Sequence, residues 1–279
     1  MSNILHRLRP KKNINKMSIF EKFWSGNHRA LVENVRNDPS LMENPDNIHY
    51  IFASLAILDE SLEEVAKKIV PPLSFDEFDL AIKDQYFQEM NSLQCGVLNQ
   101  PRFVHKSMFA AAIGLANKKN NFVETGTYIG GSTYKISKLF SHLSTVEASA
   151  ELYKAATSLL ASCQNVSCLL GNSKELLAKL DSDYLNNSVV FLDAHYSTGL
   201  TSKLYGACPV IEEISEIIEK APKAIIIVDD IRTMSGKNGY PSLSKILSSI
   251  PSNVKVDIVF DQMIFTCNGI VKYPDFMAS

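Results

Sequence analysis

Cysteine pairing is the first thing missing from this sequence. Its five cysteines (Cys95, Cys163, Cys168, Cys208 and Cys267) are scattered, with no CxxC pair. That spacing speaks against a disulfide framework and a thiolate zinc site, and suits reduced thiols in a cytoplasmic protein. An excess of charge is missing too. The 28 basic and 30 acidic residues leave a net charge of −2, which gives no general electrostatic pull toward nucleic acid. No apolar run approaches the ~20 residues that span a bilayer, so no membrane span is expected. Glycine is scarce at first: only Gly26, Gly96 and Gly114 precede residue 126, and nine follow.

What is present fits a globular chain. A hydrophobic share of 46% and a charged share of 21% over 279 residues are ordinary for a protein that buries a core. The length suits one large domain, or one domain with a substantial extension. The opening MSNILHRLRPKKNINKM is basic and lacks the apolar centre of a secretory signal. Residues 1–18 are therefore expected to form a solvated, disordered arm.

Residues 19–117 read as helices. GNHRALVENVRND and IHYIFASLAILDE carry apolar residues at helical spacing, and Pro71-Pro72 stops the segment after LEEVAKKIV. Ser74 and Glu77 form a capping-box pattern, and Phe75, Phe78, Ile82, Tyr86 and Leu93 then follow roughly one helical face. VHKSMFAAAIGLANKK is a further helix. This half shows no chemistry of its own, and is expected to serve as a lid or as the contact of a homodimer.

Residues 118–279 alternate instead. NFVET, LSTVEA, VSCLL, VVFLDA and AIIIVDD are short strand-like runs, separated by the helical stretches STYKISKLFSH, AELYKAATSLLAS, SKELLAKL and CPVIEEISEIIEK. That alternation implies crossover units and a parallel sheet covered on both faces. VKVDIVF, MIFTC and IVKY then follow with short breaks, and Asn268-Gly269 is a hairpin signal. The expected fold is α/β: a Rossmann-like, doubly wound, mostly parallel sheet ending in antiparallel strands, with a helical N-terminal extension.

Ligands of such sheets sit beyond the carboxyl ends of the strands, near the switch in strand order. Every strand end here is polar: Glu124, Glu147, Gly171-Asn172-Ser173, Asp193 and Asp229-Asp230. Any one of them could be a cap or a turn residue, but acids seldom end buried strands unless paired or liganded.

The stretch Glu124-Thr125-Gly126-Thr127-Tyr128-Ile129-Gly130-Gly131-Ser132-Thr133 does not have the GxGxxG spacing of a dinucleotide fingerprint. It resembles the first motif of class I S-adenosylmethionine-dependent methyltransferases, where an acid precedes a glycine loop. The ExGxxxGxST form is similar to that of small-molecule O-methyltransferases related to macrocin O-methyltransferase, although the common family form has a glycine where Tyr128 stands. The resemblance spans roughly residues 121–266. It implies S-adenosylmethionine as methyl donor, held by Glu124, Gly126, Thr127, Gly130, Ser132, Thr133, Glu147, Asn172, Ser173 and Asp193. Glycines at 126 and 130 let the backbone approach the ligand. Glu124 can attract its ammonium, and the helix start at Ser132-Thr133 offers donors to its carboxylate. Glu147, an acceptor-only group, suits two ribose hydroxyls, and Asn172 and Ser173 can meet the adenine edge. NAD would also accept Glu147, but the loop spacing favours the methyl donor.

VVFLDAHYSTGLTSKLYGACP places His195 two residues after Asp193, unlike His6, His28, His49, His105 and His142, which lack such company. His195 could serve as a general base with Asp193 as its neighbour, or simply pack under the loop. Asp193, Asp229 and Asp230 on one rim would repel unless a cation or protons intervene. Hard oxygen ligands suit Mg²⁺ or another divalent cation. The arrangement is similar to that of catechol O-methyltransferase-like enzymes, which hold such an ion with an acid and an acid-amide pair; here the pair is Asp-Asp. Together these features point to an O-methyltransferase for a small hydroxylated acceptor, a sugar or specialised metabolite. A non-catalytic Rossmann-like accessory protein and an NAD-dependent oxidoreductase remain as alternatives.

Overall fold

Short runs of valine, isoleucine and phenylalanine build a seven-stranded sheet in the computed structural model, which describes residues 13–94, 103–193, 208–267, 269 and 271–277. The strands are β1 (Asn121–Thr125), β2 (His142–Glu147), β3 (Val166–Leu170), β4 (Ser188–Leu192), β5 (Ile225–Val228), β6 (Val254–Val259) and β7 (Gln262–Cys267). Their order is β3-β2-β1-β4-β5-β7-β6. The first five run parallel, and β7 is antiparallel to both β5 and β6. The chain builds outward from β1 through β2 to β3, then returns to lay β4 on the other side of β1. The switch point therefore lies between β1 and β4, and sheets of this kind bind ligands at the carboxyl edge of that point.

The helices are α1 (Ile19–Trp24), α2 (His28–Asn37), α3 (Pro45–Ile57), α4 (Glu63–Ala66), α5 (Phe75–Gln94), α6 (Phe103–Ala116), α7 (Gly131–Ile136), α8 (Ala150–Leu160), α9 (Ser173–Lys179), α10 (Ser182–Asn186), α11 (Val210–Lys220) and α12 (Leu243–Ser249). Every residue of β1, β4 and β5 is buried, as a parallel sheet covered on both faces requires. Side chains alternate between two cores. Phe122, Val189, Phe191 and Ile227 meet Phe78 and Ile82 of α5 and Met108 and Ile113 of α6. Val123, Val190, Leu192 and Ile226 meet Leu176 and Leu177 of α9 and Ile214 and Ile217 of α11.

The chain divides into two compact units, Met1–Ile69 and Val70–Ser279. The sequence-based boundary at 117/118 therefore differs from the one that packing sets. The apolar faces of α5 and α6 are buried in the same core as β1 and β4, which ties residues 70–117 to the sheet. The Ser74–Glu77 capping box forms as expected, with the Glu77 carboxylate accepting the Ser74 N–H at 2.8 Å and the Ser74 hydroxyl accepting the Glu77 N–H at 3.4 Å. Phe75 departs from the expected stripe and is 58% exposed.

In the first unit, Phe23 is fully buried and packs its ring 5.2 Å from those of His28 and Tyr50. Part of the expected arm is ordered: Ile14–Lys16 makes one 3₁₀ turn, and Ser18 caps α1 through a capping box with Glu21. Residues 1–12 lie outside the described residues. The antiparallel ending is present, but its hairpin turns at Phe260-Asp261, between β6 and β7. Phe260 takes a left-handed φ of 53° there. Asn268 is outside the described residues, and residues 271–273 form no strand.

Candidate active site

The glycine turn leaves β1 at the switch point. Gly126 and Thr127 both donate their N–H to the Val146 carbonyl at 3.0 Å, and the Gly130 N–H closes a reverse turn on the Thr127 carbonyl at 2.9 Å. Gly126, Tyr128 and Gly130 have φ of 90°, 55° and 82°, in the left-handed region that glycine enters at little cost and tyrosine at roughly 1–2 kcal/mol. A Cβ on Gly130 would lie 3.3 Å from the Ala156 Cα of α8, whereas one on Gly131 would meet nothing within 4 Å. The turn is thus pressed against α8 on one side and open at the first residue of α7.

Two acids hold this turn. The Glu147 carboxylate accepts the Tyr128 N–H and the Ser149 N–H, each at 2.8 Å. Burial raises its pKa, while the backbone N–H groups of Ser149, Tyr128 and Ala148 oppose the rise. Glu124 is 3% exposed. Its Oε2 accepts the Thr133 hydroxyl and, at 3.4 Å, the Thr145 hydroxyl. Burial pushes its pKa up to about 8; the Thr133 hydroxyl works against this and the Asp193 charge adds to it.

The third group is the carboxylate cluster. Asp193 follows β4 and is fixed by its N–H to the Thr125 carbonyl at 3.1 Å, and Asp229 follows β5 with its N–H on the Leu192 carbonyl at 3.1 Å. Oxygens of Asp193, Asp229 and Asp230 lie within 4.8 Å of one another, the convergence expected from the sequence. Lys106 of α6 enters this cluster. Its Nζ stands 2.8 Å from Asp229 Oδ2 and also pairs with Asp230 Oδ1. Gln262 of β7 donates its Nε2 to Asp229 Oδ1 at 3.2 Å and to the Lys106 carbonyl at 3.0 Å. Arg232 reaches Asp230 Oδ1 at 2.8 Å and pairs with Asp261. Burial and the neighbouring Asp193 push the Asp229 pKa up to about 7 against the pull of Lys106. For Lys106, burial acts downward, but Asp229 and Asp230 outweigh it and the pKa is raised.

With Lys106 in place the donor set does not fit a divalent ion. Asp229 Oδ1 accepts from Gln262, and the Lys106 ammonium stands against Asp229 Oδ2 and Asp230 Oδ1, where a metal would have to displace it. Lys106 is also the residue that sequence reasoning missed. Its presence could have been suspected from one lysine set in the apolar, alanine-rich helix that buries Met108 through Ile113.

The other expected site residues divide. Glu124, Gly126, Gly130, Ser132, Thr133 and Glu147 surround the turn, with Ser132 and Thr133 buried in the first turn of α7. The Thr127 hydroxyl lies 2.6 Å from that of Thr145, itself a partner of Glu124, and 3.8 Å from the Cys168 sulfur. Asn172 caps α9, accepting the Glu175 N–H at 3.0 Å and donating to its carboxylate at 2.9 Å. Ser173 is buried as the first residue of that helix. His195 lies outside the described residues.

Sheet order, antiparallel β7 and the helices on both faces give an α/β, Rossmann-like doubly wound fold. No family profile matches the chain, and no curated protein does. Among solved structures, it is similar to TomG, an O-methyltransferase from Streptomyces achromogenes involved in tomaymycin synthesis, solved with S-adenosylmethionine. That likeness has a TM-score of 0.45 and 14% identity, over 71% of this chain and 92% of that one. An O-methyltransferase from Bacillus cereus solved with S-adenosylhomocysteine gives 0.45 and 15%, over 73% and 94%. A methyltransferase from Podospora anserina, also bound to S-adenosylhomocysteine, gives 0.46 and 12%, over 74% and 93%.

Proposed function

We propose that the chain is an S-adenosylmethionine-dependent O-methyltransferase acting on a small hydroxylated acceptor, such as a sugar or a specialised metabolite. Glu124 carries the reading. It is a carboxyl buried beside a glycine turn at the switch point, held by threonine hydroxyls, with no cation paired to it among the described residues. Such a group gains most from an incoming ammonium, and the amino acid end of the donor brings one.

Around it the remaining contacts follow the ligand's shape. Gly131 leaves open space beside the first turn of α7. Glu147 accepts backbone N–H groups from Tyr128 and Ser149, with that of Ala148 also acting on it. A carboxylate has about four acceptor positions, so capacity remains for a ribose hydroxyl. The bound donor supplies a methyl group open to in-line attack by the acceptor oxygen. The chain's part is to align the two and to take the acceptor's proton, the role we assign to His195. No described helix is long and apolar enough to cross a membrane. The scattered thiols support a cytoplasmic setting.

Isothermal titration with S-adenosylmethionine, S-adenosylhomocysteine and NAD tests the reading. Both sulfur ligands should bind and NAD should not. Glu147→Ala should weaken binding by roughly tenfold or more, as expected when a charged acceptor worth about 1.5–3 kcal/mol is lost. Preference for NAD, or full affinity in the variant, would remove the cofactor assignment.

A further inference from the structure

We propose that Lys106 is the resident cation of the Asp193–Asp229–Asp230 cluster, standing where a divalent ion would otherwise be held, so that the protein needs none there. Its ammonium makes ion pairs with Asp229 and Asp230, and its side chain is 10% exposed, while that of Asp229 is fully buried. The pairing is built rather than incidental. Gln262 grips the Lys106 carbonyl and the Asp229 carboxylate with the same amide nitrogen, which fixes the helix and its charge partner together. A tethered ammonium cannot be removed by a chelator. It presents hydrogen-bond donors rather than coordination positions, so two adjacent acceptor hydroxyls gain nothing from chelation at this rim.

Removing the ammonium should convert the cluster. Arg232 would still pair with Asp230, but three carboxylates with oxygens within 4.8 Å of one another would face one cation fewer, and hard oxygen ligands of that number suit Mn²⁺, Mg²⁺ or Ca²⁺. Lys106→Met keeps the length and apolar stem while deleting the charge. Titration with Mn²⁺, read as loss of the free-ion electron paramagnetic resonance signal, should show no saturable site in the wild-type protein. The variant should show one site, at least tenfold tighter than any wild-type binding, and lose it again in Lys106→Met/Asp229→Asn. Saturable wild-type binding that Asp229→Asn abolishes would overturn the proposal, as would a folded Lys106→Met protein that binds no Mn²⁺. Should that variant fail to fold, the wild-type and Asp229→Asn titrations still decide it. The titration is read without methyl donor or turnover, so failure here leaves the methyl-transfer reading to its own test.

Discussion

Glu124 is held neutral by its surroundings more than by any partner. Its pKa is pushed up to about 8, mainly by burial, while an exposed glutamate titrates near 4.3. The folded state therefore keeps a proton that the unfolded state loses. That contribution to stability is complete below about pH 4 and is lost as pH rises through about 8. Asp229, raised to about 7, acts in the same direction. The ligand-free protein should melt at a lower temperature at pH 8.5 than at pH 6, and Glu124→Gln should flatten part of that slope. An identical slope in the variant would mean that Glu124 is already ionised. Glu124 and Glu147 were legible because an acid at a buried strand end is a rare placement. Lys106 was not, because its partner Asp230 is 124 residues away and only the packing of α6 on the sheet brings them together.

At the scale of elements, the glycine turn joins strand to helix under tight limits. Gly130 has both a left-handed φ of 82° and the Ala156 backbone 3.3 Å from where its Cβ would stand. Gly130→Ala should cost roughly 1–3 kcal/mol, from left-handed strain of about 1–2 kcal/mol plus crowding. The loss should appear as a lower melting temperature together with weaker donor binding. Unchanged values for both would show that the turn relaxes freely. The runs NFVET and VSCLL marked β1 and β3 at their observed residues, although only β1 is buried throughout and β3 is the half-exposed edge strand. The hairpin was misplaced at Asn268-Gly269, since Phe260 takes a left-handed conformation that its side chain does not advertise. The cap at Asn172 was readable in principle, as asparagine three residues before Glu175 is a capping pattern.

Across the whole molecule, the division at Ile69/Val70 makes a direct claim about what the site needs. Every described residue assigned to it, Lys106 included, belongs to Val70–Ser279. A chain of residues 70–279 should fold and bind S-adenosylhomocysteine within about tenfold of the full protein, measured by titration and thermal melts. Failure to fold would show that the first unit is required for the stability of the second. Composition placed this boundary near residue 117, because glycine content and alternation report local structure, whereas the division follows long-range burial of Phe78, Ile82, Met108 and Ile113.

The sheet order also sets a schedule. β7 lies between β5 and β6, although it is the last of the seven to be synthesised, and Met263, Ile264 and Phe265 are buried to 1% or less. A nascent chain that has emerged only through β6 has nowhere in the sheet to dock that strand, and β5 presents an unpaired edge of four apolar residues. Such an edge invites pairing with another chain. Completion of the domain therefore waits on its C-terminal hairpin, and the interval before that hairpin arrives is when the protein is most exposed to aggregation on the ribosome.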